Sequence, residues 1–429
     1  MIKGETIVAL SSGAPPAAVA IVRTSGPAVF DALTAVAGRI TAARHATLLT
    51  LRDPATGDPV DDALVLSFPA PHSATGEDIV EYQCHGGRAV VQRLLDVLAA
   101  QPGFRRAEPG EFTRRALLNG RIDLTEAEGL ADLLEAETEI QRRAALQMAE
   151  GGLRKKVDDW RERIVDLSAQ AEAAIDYVDD EDETGIDAAR LANQASAIAD
   201  EIDSILASPR AEPLKEGIRV VLGGPPNAGK SSLLNALVES DRAIVTDIPG
   251  TTRDSIDVPV TMGGIPFVLV DTAGLRDSND VIEQIGIARA ERELLSADIL
   301  LWLGEGAEMP AHPSLVRIRT KIDLKPKLHQ SDSALQLSSV TGEGIDLLWK
   351  TIVDLAGEYL PSPTQMALNR RQRDALAVVA TALRITKETD IVLAAHGLRT
   401  ANDALDRLTG RAGIDAMLDA LFGRFCLGK

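Results

Sequence analysis

The sequence predicts a multidomain α/β-plus-α protein: an N-terminal α+β domain, a helical domain in two pieces, and an α/β domain inserted between them. Three observations carry this. Short β-branched runs mix with helical stretches over residues 1–119, and apolar residues take helical spacing over 120–216. From 217 to 361 strands alternate with helices, as in a parallel α/β unit, and from 362 to 429 the pattern is helical again. Helices on both sides of an α/β unit are explained by one chain insertion.

The elements follow in order. TIVALSS and AAVAIVRTSG are runs of small and β-branched apolar residues that end at Gly or Pro, and they predict buried strands. DALVLSF and DIVEYQCHGG predict a further pair, and GGRAVVQRLLDVLAAQ a helix. Trp160, Ile164, Leu167, Ala171 and Ile175 fall on one face of a helix. The acidic run Asp179 to Glu183 predicts a solvated loop between helices. IRVVLGG, PFVLVDTAG and DILLWLGEG predict buried strands, and the PSP turn at Pro361 to Pro363 closes the α/β region.

Composition narrows the class. Of the 429 residues, 45% are hydrophobic and 25% charged, so an ordinary globular core forms, and it is aliphatic because aromatics are scarce. A net charge of -19 disfavours broad, non-specific nucleic-acid binding but leaves room for a local basic patch such as Arg114, Arg115 and Arg121. Two cysteines, Cys84 and Cys426, make a disulfide framework unexpected. MIKGETIVAL lacks the plan of a secretion leader, and no run reaches the about 18 apolar residues of a membrane span, so a cytoplasmic protein is expected.

Gly224 to Ser231 reads GPPNAGKS, follows a predicted strand and opens the helix SSLLNALVES. This is the context in which GxxxxGK[ST] binds phosphates. Glycines let backbone N–H groups turn towards phosphate oxygens, and the helix N-terminus adds positive potential. Lys230 is placed for the β and γ phosphates and Ser231 for Mg²⁺. Gly224, Asn227, Ala228, Gly229, Lys230, Ser231 and Ser232 form the phosphate-contacting stretch.

Asp271, Thr272, Ala273 and Gly274 read DTAG at the end of an apolar strand, which places Asp271 near Mg²⁺ and the Gly274 amide near the γ phosphate. Between the two motifs, Thr246, Asp247, Ile248, Pro249, Gly250, Thr251 and Thr252 form a polar segment suited to a nucleotide-sensing switch. Thr320, Lys321 and Asp323 resemble the guanine-reading NKxD with Thr in place of Asn, and Ser338, Ser339 and Val340 fit the loop beside the base. Asp323 accepts from the N1–H and amino groups of guanine, a donor pattern adenine lacks, so GTP is the expected nucleotide. Leu275 follows DTAG where Ras-type enzymes place a water-orienting glutamine, which makes Glu283 the candidate for that role.

These residues together resemble the tRNA modification GTPase MnmE (TrmE) family over essentially the whole chain. The specific markers are GPPNAGKSSLLNAL, TDIPGTTRD, DTAGLR, PGEFTRRALLNGRIDLTEAEGLADLL and the terminal CLGK. The resemblance implies an N-terminal folate-binding and dimerisation domain over 1–119, a helical domain over 120–216 and 362–429, and a Ras-like GTPase domain over 217–361. It implies a homodimer that joins the flavoprotein MnmG in a heterotetramer, with FAD entering only through that partner. The pair is expected to add an aminomethyl or carboxymethylaminomethyl group to C5 of the wobble uridine of certain tRNAs, drawing the carbon from 5-formyltetrahydrofolate or a related reduced folate.

By the same resemblance, Asn227, Thr246, Ile248 and Thr251 hold an activating potassium ion, and Thr252 joins Ser231 on Mg²⁺. Glu283 matches the carboxylate that orients water. Arg23, Glu81, Arg121 and Lys429 match the folate positions, and Cys426 matches a terminal cysteine proposed to act in the modification chemistry. The chain departs from the family at Thr320, in a short stretch between DTAG and TKID, and at Cys84, where glycine is common. A regulatory or ribosome-assembly GTPase without modification activity is the alternative reading, and a folate-dependent transferase with a degenerate nucleotide site is a third.

Overall fold

The computed structural model describes residues 4–176, 188–240, 243–245, 257–272, 293–304, 309–324, 334–362, 365–385, 390–411, 421 and 428. Element numbers below refer to these residues. The chain divides into two compact units, Met1–Ala131 with Asp406–Lys429, and Asp132–Leu405.

The first unit is built on a six-stranded sheet in the order β3-β4-β5-β2-β1-β6. Its strands are β1 (Thr6–Leu10), β2 (Val19–Ser25), β3 (Thr47–Arg52), β4 (Pro59–Phe68), β5 (Ile79–His85) and β6 (Phe104–Arg106). Only β1 and β6 run parallel; the other neighbours are antiparallel. The period of two sorts the faces. Ala20, Val22, Val80, Tyr82 and Cys84 join one buried cluster with Leu33 of helix α1 (Val29–Ala37) and Leu94 and Leu98 of helix α2 (Arg88–Ala99). Arg23 and Glu81, directly opposed across β2 and β5, alternate with those residues and so belong to the other face. Helix α3 (Glu111–Leu118) contributes Phe112 to a small cluster with Ile7 and Ala9.

The second unit holds a seven-stranded sheet in the order β13-β12-β11-β7-β10-β9-β8. Its members are β7 (Ile218–Gly223), β8 (Ile244–Val245), β9 (Asp257–Met262), β10 (Ile265–Asp271), β11 (Ile299–Leu303), β12 (Leu315–Arg319) and β13 (Leu335–Gln336). Val220, Val221 and Leu222 in β7 are all fully buried, as expected of a parallel strand covered on both faces. The parallel core matches the alternation in the sequence, but β8 and β9 are antiparallel. The reason is local. Gly263 and Gly264 sit at φ 61° and 80°, the two consecutive left-handed positions of a tight hairpin, which returns β10 beside β9. Helix α9 (Lys230–Val238) and helix α10 (Ile345–Ala356) supply Leu233, Leu237, Leu348 and Ile352 to the core, where Phe267 and Trp349 meet with ring centroids 5.7 Å apart.

Helices surround this sheet in sequence: α4 (Leu124–Glu135), α5 (Glu139–Ala149), α6 (Gly152–Asp176), α7 (Ala188–Leu206) and α8 (Glu212–Glu216) before it, α11 (Arg370–Ile385) and α12 (Ile391–Thr409) after it. The helical spacing read at Trp160, Ile164, Leu167 and Ala171 is a buried stripe on α6. Thr138 and Gln141 close a capping box on α5. Helix α11 packs on α7, and Arg373 donates to the carbonyls of Leu206 and Ser208 past the α7 C-terminus. Among the described residues, no helix is long and apolar enough to cross a membrane.

Candidate functional site

The phosphate loop links β7 to α9, and its shape depends on particular residues. Gly224 takes φ 140°, and a Cβ there would lie 2.3 Å from the Leu303 carbonyl oxygen on β11. Only glycine lets the loop start so close to the neighbouring strand. Asn227 sits at φ 61°, which asparagine tolerates better than most residues, and Gly229 at φ 95° turns the chain into the helix. Ala228 completes the turn, with its N–H on the Pro225 carbonyl at 3.4 Å.

Lys230 begins α9 and is buried. Its Nζ donates to the carbonyls of Gly224 at 3.1 Å and Pro225 at 3.0 Å, so the ammonium lies inside the ring of the loop. Ser231 Oγ donates to Asp271 Oδ2 at 2.5 Å, and Asp271 is 1% exposed. Ser232 follows, exposed, on the first turn. Thr272 Oγ1 donates to the Leu222 carbonyl at 2.8 Å, which clamps the DTAG strand to β7. A hydroxyl facing a carboxylate, both hard oxygen donors at the N-terminus of α9 beside the Lys230 ammonium, fits Mg²⁺ and a nucleotide phosphate chain.

The residues expected to read the base stand beside this loop. Thr320 Oγ1 donates to the Ala228 carbonyl at 2.7 Å, and Lys321 Nζ to the Asn227 carbonyl at 2.9 Å. Ser338 is fully buried and donates from Oγ to Asp323 Oδ1 at 2.7 Å. The same oxygen accepts the N–H groups of Val340 and Thr341. Among the described residues Oδ2 of Asp323 has no partner, so it is open to donors on a base. Ser338, in the loop expected beside the base, thus bonds the Asp323 carboxylate through its side chain. Ser339 and Val340 follow in the turn, with Val340 85% exposed. Thr272 and Thr320 were read as motif residues, but their bonds to the Leu222 and Ala228 carbonyls carried no sequence signal, because a threonine that bonds a distant carbonyl has no local pattern.

In the first unit, Glu81 and Arg121 line one cavity of ≈ 340 Å³, together with Arg44, Phe68, Ser73 and Ile79. Arg23 stands outside this lining but fixes Glu81: its Nε and Nη2 both reach Glu81 Oε1 at 2.8 Å. Its guanidinium also lies 5.8 Å from the Phe112 ring centroid. Glu81 Oε2 is left without a partner among the described residues. Such a carboxylate suits the amino and N–H donors of a pterin, and the arginine suits carboxylates. Ser11 Oγ donates to the Gly428 carbonyl at 2.7 Å, which holds the penultimate residue beside the end of β1.

Of Arg114, Arg115 and Arg121, for which the net charge left room as a local basic patch, Arg121 is exposed and Arg114 half-buried. Arg115 is internal, paired with Glu77 at 2.9 Å and Glu111 at 3.0 Å. Cys84 is a buried free thiol, and burial first, then the Asp61 charge, pushes its pKa up to about 11. That makes it a packing residue rather than a nucleophile.

Two sequence families match the chain: the MnmE helical domain over residues 124–426, and the GTP-binding protein TrmE N-terminus over residues 6–121. The tRNA modification GTPase MnmE of Erythrobacter litoralis (strain HTCC2594) is 52% identical over 427 residues, covering 99% of this chain and 100% of its own. The chain belongs to the MnmE family. A second MnmE, from Novosphingobium aromaticivorans, is 50% identical over 435 residues, covering 99% of this chain and 100% of its own. Among solved structures, the G domain of the T. maritima FeoB iron transporter aligns with 32% of this chain and 98% of its own, at 27% identity and a TM-score of 0.24. The MnmE helical match spans the nucleotide-binding sheet, which agrees with a helical domain interrupted by an inserted Ras-like P-loop domain.

Of the residues that the MnmE resemblance singles out, Thr246, Asp247, Ile248, Pro249, Gly250, Thr251, Thr252, Ala273, Gly274, Glu283, Cys426 and Lys429 lie outside the described residues.

Proposed function

We propose that this chain hydrolyses GTP to GDP and phosphate, and that turnover drives modification of the wobble uridine of certain tRNAs. One observation carries the reading: Lys230 held inside the phosphate loop and Asp323 held by Ser338 are linked through Thr320 and Ala228. In this reading Lys230 exchanges its loop carbonyls for oxygens of the β and γ phosphates. Ser231 and Thr252 hold Mg²⁺, and Asn227, Thr246, Ile248 and Thr251 hold K⁺. When bound, the two cations supply positive charge against the phosphates. Glu283 orients the attacking water, a task Leu275 cannot perform.

The sheet unit over 217–361 is the GTPase domain, inserted in a helical domain over 120–216 and 362–429, and residues 1–119 form the folate-binding and dimerisation domain. The chain acts as a cytoplasmic homodimer with the flavoprotein MnmG, adding an aminomethyl or carboxymethylaminomethyl group at C5 of the uridine. Arg23, Glu81, Arg121 and Lys429 hold the reduced folate, and Cys426 acts near the uridine. The family relatives, which are tRNA modification GTPases, support this, and the open Oε2 of Glu81 supports the folate site.

The deciding measurement compares GTP hydrolysis in potassium and in sodium. Equal rates would remove the cation site at Asn227. Loss of wobble modification in a strain lacking the chain, restored by the wild type but not by Cys426→Ser, is the outcome expected for the tRNA role. Normal modification in that strain would leave a regulatory GTPase as the better reading.

A further inference from the structure

Arg44 and Arg121 reach one loop from different parts of the first unit. Arg44 lies next to the bridge between Ala43 and Ser67, its own N–H bonds the Ser67 carbonyl at 2.8 Å, and its backbone is held at φ 60°. Its guanidinium stands over the Phe68 ring, 5.6 Å from the centroid, and donates to the His72 carbonyl. Arg121 donates from Nε to the next carbonyl, Ser73, at 3.1 Å. Both side chains line the ≈ 340 Å³ cavity that also holds Glu81.

Among the described residues neither guanidinium is paired with a carboxylate. In the same unit Arg23, Arg105 and Arg115 each are. In a chain of net charge -19, two uncompensated guanidiniums converging on successive carbonyls of one concavity mark a place for an anion. Arg44 is further prepared for that task. A flat cation resting on a ring and held by a carbonyl loses little freedom when a carboxylate arrives.

We propose that Arg44 is a further arginine of the folate site and, with Arg121, binds the carboxylates of the glutamate tail while Glu81 meets the pterin end. The proposal rests on the reading of this cavity as the folate site. It assigns a role to a residue 44 that no motif marks, and it makes the glutamate tail, rather than the pterin, the part of the ligand that Arg44 selects.

The test is calorimetric titration of the full chain with 5-formyltetrahydrofolate and with 5-formyltetrahydropteroate, which lacks the glutamate. Arg44→Gln keeps a stem over Phe68 and a donor for His72 but removes the charge. It is expected to weaken the folate about tenfold while changing the pteroate by less than about twofold. Arg44→Lys retains the charge and is expected to lose less than Arg44→Gln. Arg44→Gly suits the left-handed backbone, so folding is preserved, and it is expected to give the same split between ligands. If wild-type protein binds the folate and the variants lose both ligands equally, or neither, the role of Arg44 is overturned and the folate reading stands. If wild-type protein binds neither ligand, both fall together.

Discussion

Thr320 Oγ1 donates a 2.7 Å hydrogen bond to the main-chain oxygen of Ala228, so the segment proposed to read the base is tied to the loop proposed to hold the phosphates. Lys321 makes a parallel tie to Asn227 at 2.9 Å. The Thr320 hydroxyl thus reaches the loop carbonyl directly. Thr320→Val keeps the shape and removes the donor. GTP affinity is expected to fall by about 5- to 30-fold, the equivalent of about 1–2 kcal/mol for a half-buried carbonyl that loses its donor. Thr320→Asn is expected to stay close to wild type. Nucleotide titration measures both, and an unchanged affinity in Thr320→Val would show that the tie is incidental.

Gly428 makes a different kind of tie. It takes φ 93°, and a Cβ there would lie 1.9 Å from the Leu10 carbonyl oxygen, while Ser11 holds its own carbonyl. Any side chain at this position must push the tail off β1. Gly428→Val is therefore expected to abolish folate binding and tRNA modification, because Lys429 and Cys426 flank it, and to leave GTP hydrolysis within about twofold, since the phosphate loop lies in the other unit. Ser11→Ala removes one hydrogen bond of about 1 kcal/mol and is expected to be milder. Nucleoside analysis of tRNA beside a GTPase assay separates the two effects. Full modification in Gly428→Val would sink the idea that the tail works from this position.

How much of this was legible beforehand follows from sequence distance. The phosphate loop is local: a cradle of consecutive N–H groups needs glycines at fixed spacing within a few residues, so Gly224 to Ser231 could be read directly. The β7, β10 and β11 strands were equally plain, because strands buried on both faces are continuous apolar runs. The antiparallel edge was not, since it depends on how the Gly263-Gly264 turn closes rather than on which residues are apolar. Helix α1 and strand β3 were not read from the sequence either, although signals flank both: Gly38 at φ 75° closes α1, and the Asp53-to-Gly57 turn follows β3. The cavity lined by Arg44, Glu81 and Arg121 is the extreme case. Its residues come from positions 44, 81 and 121, and only long-range strand pairing brings them together. Without the family resemblance Glu81 and Arg121 were ordinary surface charges, and Arg44 had no signal at all.

His85 carries a charge equilibrium set by one neighbour. Its Nδ1 is 2.8 Å from Asp61 Oδ1, and its backbone N–H donates to Asp61 Oδ2 at 2.7 Å. The Asp61 hydrogen bond first, and its charge second, raise the imidazole above the ordinary histidine range. A raised folded value means that the favourable contribution is complete below the unfolded histidine pKa and is lost as pH rises through the folded one. The ring is largely exposed, so the effect belongs in a titration rather than in a stability measurement. In an NMR titration the His85 midpoint is expected above that of an unstructured histidine, and Asp61→Asn is expected to bring it down. A midpoint unmoved by that substitution would exclude Asp61 as the cause.

Glu111 sets the acid limit of the first unit. Arg105 grips it with two hydrogen bonds, 2.6 Å to Oε1 and 2.8 Å to Oε2, Arg115 adds one at 3.0 Å, and the Glu108 N–H adds another at 3.0 Å. Burial opposes the charge of this carboxyl, but the Arg105, Glu108 and Arg115 bonds outweigh it and hold the pKa below the usual carboxylate range. A depressed folded value means that the stabilisation is present above the unfolded carboxyl pKa and disappears as pH falls through the folded one. Glu111→Gln leaves two arginines facing a neutral group. The expected cost is on the order of 3 kcal/mol at neutral pH, in line with breaking a largely buried pair from one side. Because a chain of two units need not unfold in one step, the readout is amide hydrogen exchange in β1 and α3 rather than a global melt. Wild type and Glu111→Gln are expected to differ strongly near pH 7 and to converge in acid, once the wild-type carboxyl is protonated. A difference that persists undiminished in acid would mean that packing, rather than the charge on Glu111, holds this corner together.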